Sequence, residues 1–156
     1  MTKNDKIAVV GLGYVGLPLA LAFSDHFSVI GFDLNTYRIE SLNNSIDDNG
    51  EIEFVLNDNL LFTNHKDDIR DANIYIITVP TPVNHDNHPD LKILEEATIM
   101  IGSVLGKEDV VIYESTVYPG VTEDICVPEL EKSSGMKFNH DFFCGYSPER
   151  INPGDK

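Results

Sequence analysis

Residues Ile7 to Pro18 read IAVVGLGYVGLP, and the rest of the chain is organised around them. The apolar run Ile7-Ala8-Val9-Val10 has the pattern of a strand buried on both faces. It breaks at Gly11-Leu12-Gly13-Tyr14-Val15-Gly16, and Leu17 to Phe23 continues with helical character. The three glycines serve different physical ends. Gly11 permits the tight turn, Gly13 lets another molecule approach the backbone, and Gly16 lets the helix pack close to the strand. A lone pattern of this kind equally describes a plain tight turn, so its context decides. A second apolar strand, Phe27 to Phe32, ends in Asp33, about 20 residues beyond the glycine loop, where a dinucleotide fingerprint needs a carboxylate for the adenosine ribose hydroxyls. The phosphates then rest on unpaired N–H groups at the positive end of the helix. Asp33 repels a 2′-phosphate, so NAD is expected rather than NADP. Arg38 stands just past the strand, placed either to stack on adenine or to meet a phosphate.

The chain has 156 residues, enough for one domain with a substantial core, and 42% of them are hydrophobic, which marks a globular protein. Eleven Lys and Arg against 26 Asp and Glu give a formal charge of −15. With no basic patch in view, that charge opposes binding to nucleic acid or to an anionic membrane. The two cysteines, Cys126 in a predicted helix and Cys144 in a predicted strand, suggest neither a disulfide framework nor a metal knuckle. There is no signal pattern and no apolar run long enough to span a membrane, so the expected setting is the cytoplasm.

Strands and helices alternate along the rest of the chain. Asn35 is placed to cap a helix through about Leu42, and a polar stretch, Asn43 to Gly50, closes it. Glu51 to Asn59 is read as a short helix and Leu60 to Thr63 as a short strand, followed by a polar segment, His65 to Asp71. Asn73 to Val79 is a β-rich strand ended by Pro80 and Pro82, which cannot donate to a ladder. His85, Asp86 and His88 follow in a proline-flanked loop. With no further ligand nearby they read as surface residues, since zinc sites generally use three or four protein ligands.

Asp90 is placed to cap an amphipathic helix with Leu91, Leu94, Ala97, Ile101, Val104 and Leu105 on its core face and Gly106 as its stop. Val110 to Tyr113 is another strand, and the small hydroxyl residues Ser115 and Thr116 at its carboxyl end suit a ligand crevice. A helix is expected from near Pro119 through Leu130, with a kink at Pro128. The last strand, Phe142 to Tyr146, leads into Ser147-Pro148-Glu149-Arg150-Ile151-Asn152-Pro153-Gly154. This alternation implies a Rossmann-type α/β domain: a mainly parallel sheet with helices on both faces, in three layers.

Four segments, GLGYVGLP at Gly11 to Pro18, VPTP at Val79 to Pro82, ESTVYPG at Glu114 to Gly120 and YSPERINPG at Tyr146 to Gly154, carry a family likeness. In this order the chain resembles the N-terminal NAD-binding domain of the UDP-glucose/GDP-mannose dehydrogenases. The last segment resembles the branch acting on UDP-N-acetylhexosamines, such as the UDP-N-acetylgalactosamine and UDP-N-acetylmannosamine dehydrogenases. The resemblance implies oxidation of a sugar C6 hydroxymethyl to a carboxylate by two NAD molecules, for polysaccharide synthesis. It places the pyrophosphate on Gly11, Leu12, Gly13, Tyr14, Val15 and Gly16, and the adenosine half by Asp33 and Arg38. The nicotinamide half falls by Val79, Pro80, Thr81, Ser115 and Thr116.

By the same resemblance Thr116 positions a catalytic water, and Glu149 handles protons or anchors the sugar, unless it merely pairs with Arg150. A carboxylate shielded beside a cofactor has a raised pKa, which suits acid/base work near neutrality. Arg150, Ile151 and Asn152 line the substrate side. Members of the family continue into a central helix and a UDP-sugar domain bearing a nucleophilic cysteine and a lysine, and these are expected to be absent here. Cys144 does not match that cysteine motif. The expectation is therefore one cofactor domain over residues 1–156, inactive alone, with a homodimer possible through surface left uncovered. A non-catalytic NAD-binding regulatory module and a β-hydroxyacid-type dehydrogenase domain are the competing readings.

Overall fold

A computed structural model describes residues 5–83 and 89–147. Strand β1 (Lys6–Val10) enters the glycine loop and leads to helix α1 (Gly16–Ser24); β2 (Ser28–Phe32) leads to α2 (Thr36–Asn43), and β3 (Leu60–Thr63) to a 3₁₀ turn, Lys66–Ile69. Then come β4 (Ile74–Ile77), α3 (Lys92–Gly102), β5 (Val110–Tyr113), a wide π turn at Thr122–Cys126, α4 (Val127–Ser134) and β6 (Phe143–Tyr146). The six strands form one sheet in the order β3-β2-β1-β4-β5-β6, all parallel. This is the doubly wound arrangement expected from the alternation, with its switch point between β1 and β4.

The pleat divides the core in two. Ala8, Val10, Ile30, Phe32, Tyr75, Ile77, Val111 and Tyr113 face Leu94 and Ile101 of α3 and Leu130 of α4. Their neighbours Ile7, Val9, Val29, Ile74 and Ile76 face Leu17 and Ala20 of α1 and Ile39 and Leu42 of α2. Strands buried on both sides need no polar face, which is why β1 and β4 read as continuous apolar runs. Each fully buried Leu or Ile here contributes about 1.5–3 kcal/mol. The register sets Thr63, Phe32, Val10, Ile77, Tyr113 and Tyr146 in one row across the sheet. Every loop that follows a strand therefore leaves from the same edge.

Three boundaries depart from the sequence reading. Residues Glu51 to Asn59 form no helix. Ile52, Phe54 and Leu56 alternate against the core while Glu51, Glu53 and Val55 are exposed, so the segment has period two. The Asp47 carboxylate also holds its start, taking the N–H groups of Glu51 and Ile52.

Helix α3 stops at Gly102 rather than Gly106, and Gly102 itself serves packing: a Cβ there would lie 1.8 Å from Ser133 Oγ of the adjoining helix. Asp90 still anchors the start of α3, accepting the Lys92 N–H at 3.0 Å. Pro128 makes no mid-helix kink: it lies in the first turn of α4, where its missing N–H costs little, and the π turn before it absorbs the change of pitch. Gly135, at φ 73°, then caps α4 in the left-handed region.

Candidate functional site

The edge where the strands end gathers the glycine loop, Asp33, Val79 to Thr81, and Ser115 with Thr116. Gly11 has φ +95° and donates its N–H to the Phe32 carbonyl at 2.8 Å. A Cβ at Gly16 would lie 1.8 Å from the Gly11 carbonyl oxygen, so the helix can start this close to the loop only with glycine. At Gly13 a Cβ would meet nothing within 4 Å. The space above that residue is open, as close approach of a phosphate to the backbone requires. Helix α1 opens with no side-chain cap and no acidic residue in its first turn, and although the Leu17 N–H bonds to the Gly13 carbonyl at 3.2 Å and Pro18 has none, its positive dipole end remains available to an anion.

Asp33 spends one oxygen on each of two backbone groups, accepting the Leu12 N–H through Oδ2 and the Asn35 N–H through Oδ1, both at 2.9 Å. Arg38 holds the same residue by its next peptide: its Nε donates to the Leu12 carbonyl at 2.9 Å. The guanidinium is buried, and its Nη1 meets Asp47 at 2.7 Å and also Asp48. Its Nη2 is buried and has no hydrogen-bond partner among the described residues. Burial works to lower the Arg38 pKa, but the hydrogen bonds and charges of Asp47 and Asp48 outweigh it and the pKa is raised. Burial likewise works to raise that of Asp47, and Arg38 with the N–H groups of Glu51, Ile52 and Asn49 brings it below the usual carboxylate range.

The other half of the edge is stitched by hydroxyls. Ser115 Oγ donates to the Val79 carbonyl at 2.6 Å, and Thr81 Oγ1 to the Thr116 carbonyl at 2.5 Å, so the loops after β4 and β5 run side by side. Ser115 and Val79 are buried, whereas Pro80 and Thr116 are exposed. Two open cavities of about 550 and 500 Å³ meet at Gly11, Asp33, Asn35 and Pro80. The first is largely apolar, with Phe32, Leu34, Ile93 and Met100 among its walls; the second is walled by Gly13, Tyr14, Arg38 and Asp48.

The family model for the NAD binding domain of the UDP-glucose/GDP-mannose dehydrogenases matches residues 5–156. This chain belongs to that family. It is similar to the UDP-N-acetyl-D-glucosamine 6-dehydrogenase of Pseudomonas aeruginosa, at 55% identity over 99% of this chain and 37% of that protein. It is 52% identical to the protein CapL of Staphylococcus aureus, over 98% of this chain and 37% of that one. Among solved structures, the UDP-D-ManNAc dehydrogenase of Pyrococcus horikoshii superposes with a TM-score of 0.82 at 32% identity, covering 96% of this chain and 37% of that chain. The chain thus spans a little over a third of the length of these relatives. The family is one of NAD-dependent oxidoreductases acting on nucleotide sugars, and NAD is its cofactor. Open space over Gly13 and a helix start with neither a side-chain cap nor an acidic residue fit a dinucleotide.

For an NAD-binding domain of this family, the sequence reading missed Thr78, whose Oγ1 donates to the Gly11 carbonyl at 2.6 Å and reaches the Val10 carbonyl at 3.0 Å. A threonine at the end of a β-rich strand gives no hint of that contact. It also missed Asp47 and Asp48, which stood unremarked in the polar stretch after α2. Glu149, Arg150, Ile151 and Asn152, with His85, Asp86 and His88, lie outside the described residues. Among the described residues no group of three or more metal-ligating side chains converges, and no helix is long and apolar enough to cross a membrane. Burial pushes the Cys144 thiol up to about 12 and raises that of Cys126, so neither is a ready nucleophile.

Proposed function

We propose that this chain is the cofactor half of a UDP-N-acetylhexosamine 6-dehydrogenase, which oxidises the C6 hydroxymethyl group to a carboxylate with two NAD. What carries the reading is the open edge on which Gly13, Asp33, Val79 and Ser115 stand across the sheet, with two cavities that meet at Gly11, Asp33, Asn35 and Pro80. The 55% identity to a UDP-N-acetyl-D-glucosamine dehydrogenase favours the gluco epimer.

In this reading Gly11 to Gly16 hold the pyrophosphate, with Gly13 to Val15 offering N–H groups to it, since the Leu12 N–H is held by Asp33. Asp33 takes the adenosine ribose hydroxyls, and Arg38 stands beside them, holding the Leu12 carbonyl. Val79, Pro80, Thr81, Ser115 and Thr116 bracket the nicotinamide, the Ser115–Val79 bond keeping that wall rigid. Bound NAD supplies the hydride acceptor. The exposed Thr116 orients a water toward the reacting carbon, and Glu149 exchanges protons with it or anchors the sugar. Arg150, Ile151 and Asn152 face the substrate.

Oxidation from aldehyde to acid needs a nucleophile, and the two thiols of this chain, buried Cys126 and half-buried Cys144, both with raised pKa, do not offer one. Residues 1–156 accordingly act as one NAD-binding domain, with no turnover of a UDP-sugar on their own.

The test is a calorimetric titration of the chain with NAD and with NADP. Saturable binding at one site per chain, at least tenfold tighter for NAD, is the expected result. A folded sample that binds neither overturns the placement of the cofactor on this edge.

A further inference from the structure

An arginine beside the second strand is the group that an NADP enzyme uses for the 2′-phosphate, and Arg38 occupies such a place. Its state in this fold is different. Nε is committed to the Leu12 carbonyl and Nη1 to Asp47 and Asp48, and the side chain is 6% exposed. Asp47 is 2% exposed and is locked in turn by the N–H groups of Asn49, Glu51 and Ile52. One guanidinium therefore faces three carboxylates, those of Asp47 and Asp48 directly and that of Asp33 across Leu12. A phosphate recognised by arginine needs a paired fork of N–H donors and a net positive field. Here the fork is occupied and the field is negative. The remaining amino group, Nη2, is buried and presents no surface to a phosphate.

We propose that Asp47 and Asp48 determine cofactor choice: by occupying Arg38 they deny its guanidinium to a 2′-phosphate and make the crevice exclude NADP. Asp33 alone is then not the whole of the discrimination. The loop between α2 and β3, which supplies both carboxylates and whose Asp48 and Asn49 wall the same cavity as Gly13, is a specificity loop. This inference rests on the placement of the adenosine ribose beside Asp33 and Arg38.

The experiment titrates NAD and NADP into wild type, Asp48→Asn, Asp47→Asn and, as a control, Glu51→Gln. Asp48 is the cleaner position, since its carboxylate is 28% exposed and bonds to Arg38, whereas Asp47 also holds the loop backbone. Glu51 is exposed in the same loop, and its change removes the same charge without touching the guanidinium. The expected result is an NADP-to-NAD affinity ratio raised at least fivefold by Asp48→Asn, and not by Glu51→Gln, with the gain falling as salt is raised. An unchanged ratio in a folded Asp48→Asn protein overturns the inference while leaving NAD binding intact. So does an equal rise in Glu51→Gln, which would mean general charge rather than the Arg38 clamp. A folded wild type that binds neither cofactor overturns the placement itself, and the inference with it.

Discussion

Asp33 and Leu12 are 21 positions apart in sequence and joined by a hydrogen bond of 2.9 Å from the Leu12 N–H to Asp33 Oδ2. The carboxylate read as a ribose partner is thus also a brace of the glycine loop, and Leu12 itself is buried. Asp33→Ala leaves that N–H without an acceptor and frees the Asn35 N–H as well. The expected cost is about 1–3 kcal/mol of stability, from a buried donor left unmet. NAD affinity should fall by at least tenfold in the same variant. Urea unfolding and calorimetry report the two losses separately, and an unchanged midpoint would show that the brace carries no stability.

Gly13 and Gly16 are separated by their surroundings rather than by their chemistry. Gly16→Ala forces a Cβ to within 1.8 Å of a backbone oxygen and 2.5 Å of Thr78 Oγ1, and backbone cannot yield cheaply. A loss of about 3 kcal/mol or more, or failure to fold, is expected. Gly13→Ala meets no atom of the protein. Its melting temperature should stay within about 2 °C of wild type, the effect of less than about 0.5 kcal/mol in a domain of this size. NAD binding should nevertheless weaken at least tenfold, because the methyl group enters the space the pyrophosphate needs. Equal NAD affinity in wild type and Gly13→Ala would exclude that space as the phosphate site.

The parts of this architecture that were legible in sequence are those that depend on neighbours in the chain. The continuous apolar runs of β1 and β4, the glycine spacing and Asp33 at the end of β2 are local signals, and they sufficed for the parallel sheet and its ligand edge. The segment from Glu51 to Asn59 misled because its many acidic and amide side chains hide the alternation of Ile52, Phe54 and Leu56, which the period-two count would have revealed. The close packing of α3 at Gly102 depends on Ser133, in a helix far along the chain, and the state of Arg38 on two aspartates in a loop without periodicity. Such contacts follow from the fold and leave no pattern in the string of residues around them.

Thr78 offers a quieter test of the loop. Its hydroxyl bonds to the Gly11 carbonyl at 2.6 Å, tying the end of β4 to the turn. Thr78→Val keeps the branched shape and removes only that hydroxyl. Stability should fall by about 1 kcal/mol, the net worth of one such bond. A looser Gly11 turn should also weaken NAD by a few-fold, and hydrogen exchange at the Gly11 and Leu12 amides should quicken. Unchanged exchange in the variant would place the hold on the loop elsewhere.

Two aspartates should respond to pH with opposite sign. Asp109 is buried, which raises its pKa, and the Gly106 N–H only partly offsets this. Folding therefore prefers its protonated form: its contribution is favourable below the unfolded carboxyl pKa of about 4 and is lost as pH rises through the folded value. Asp109→Asn keeps an oxygen for the Gly106 N–H, so the variant should melt higher than wild type at pH 7, with the gain vanishing as pH approaches about 4. Asp47 has its pKa lowered, so its contribution is present above the unfolded pKa and is lost as pH falls through the folded one. Asp47→Asn should accordingly cost about 1–3 kcal/mol at pH 7 and progressively less in acid. Unfolding followed across pH 3 to 8 for both variants gives two difference curves that slope in opposite directions. Parallel curves would show that at least one carboxyl titrates in the folded protein as it does in the unfolded chain.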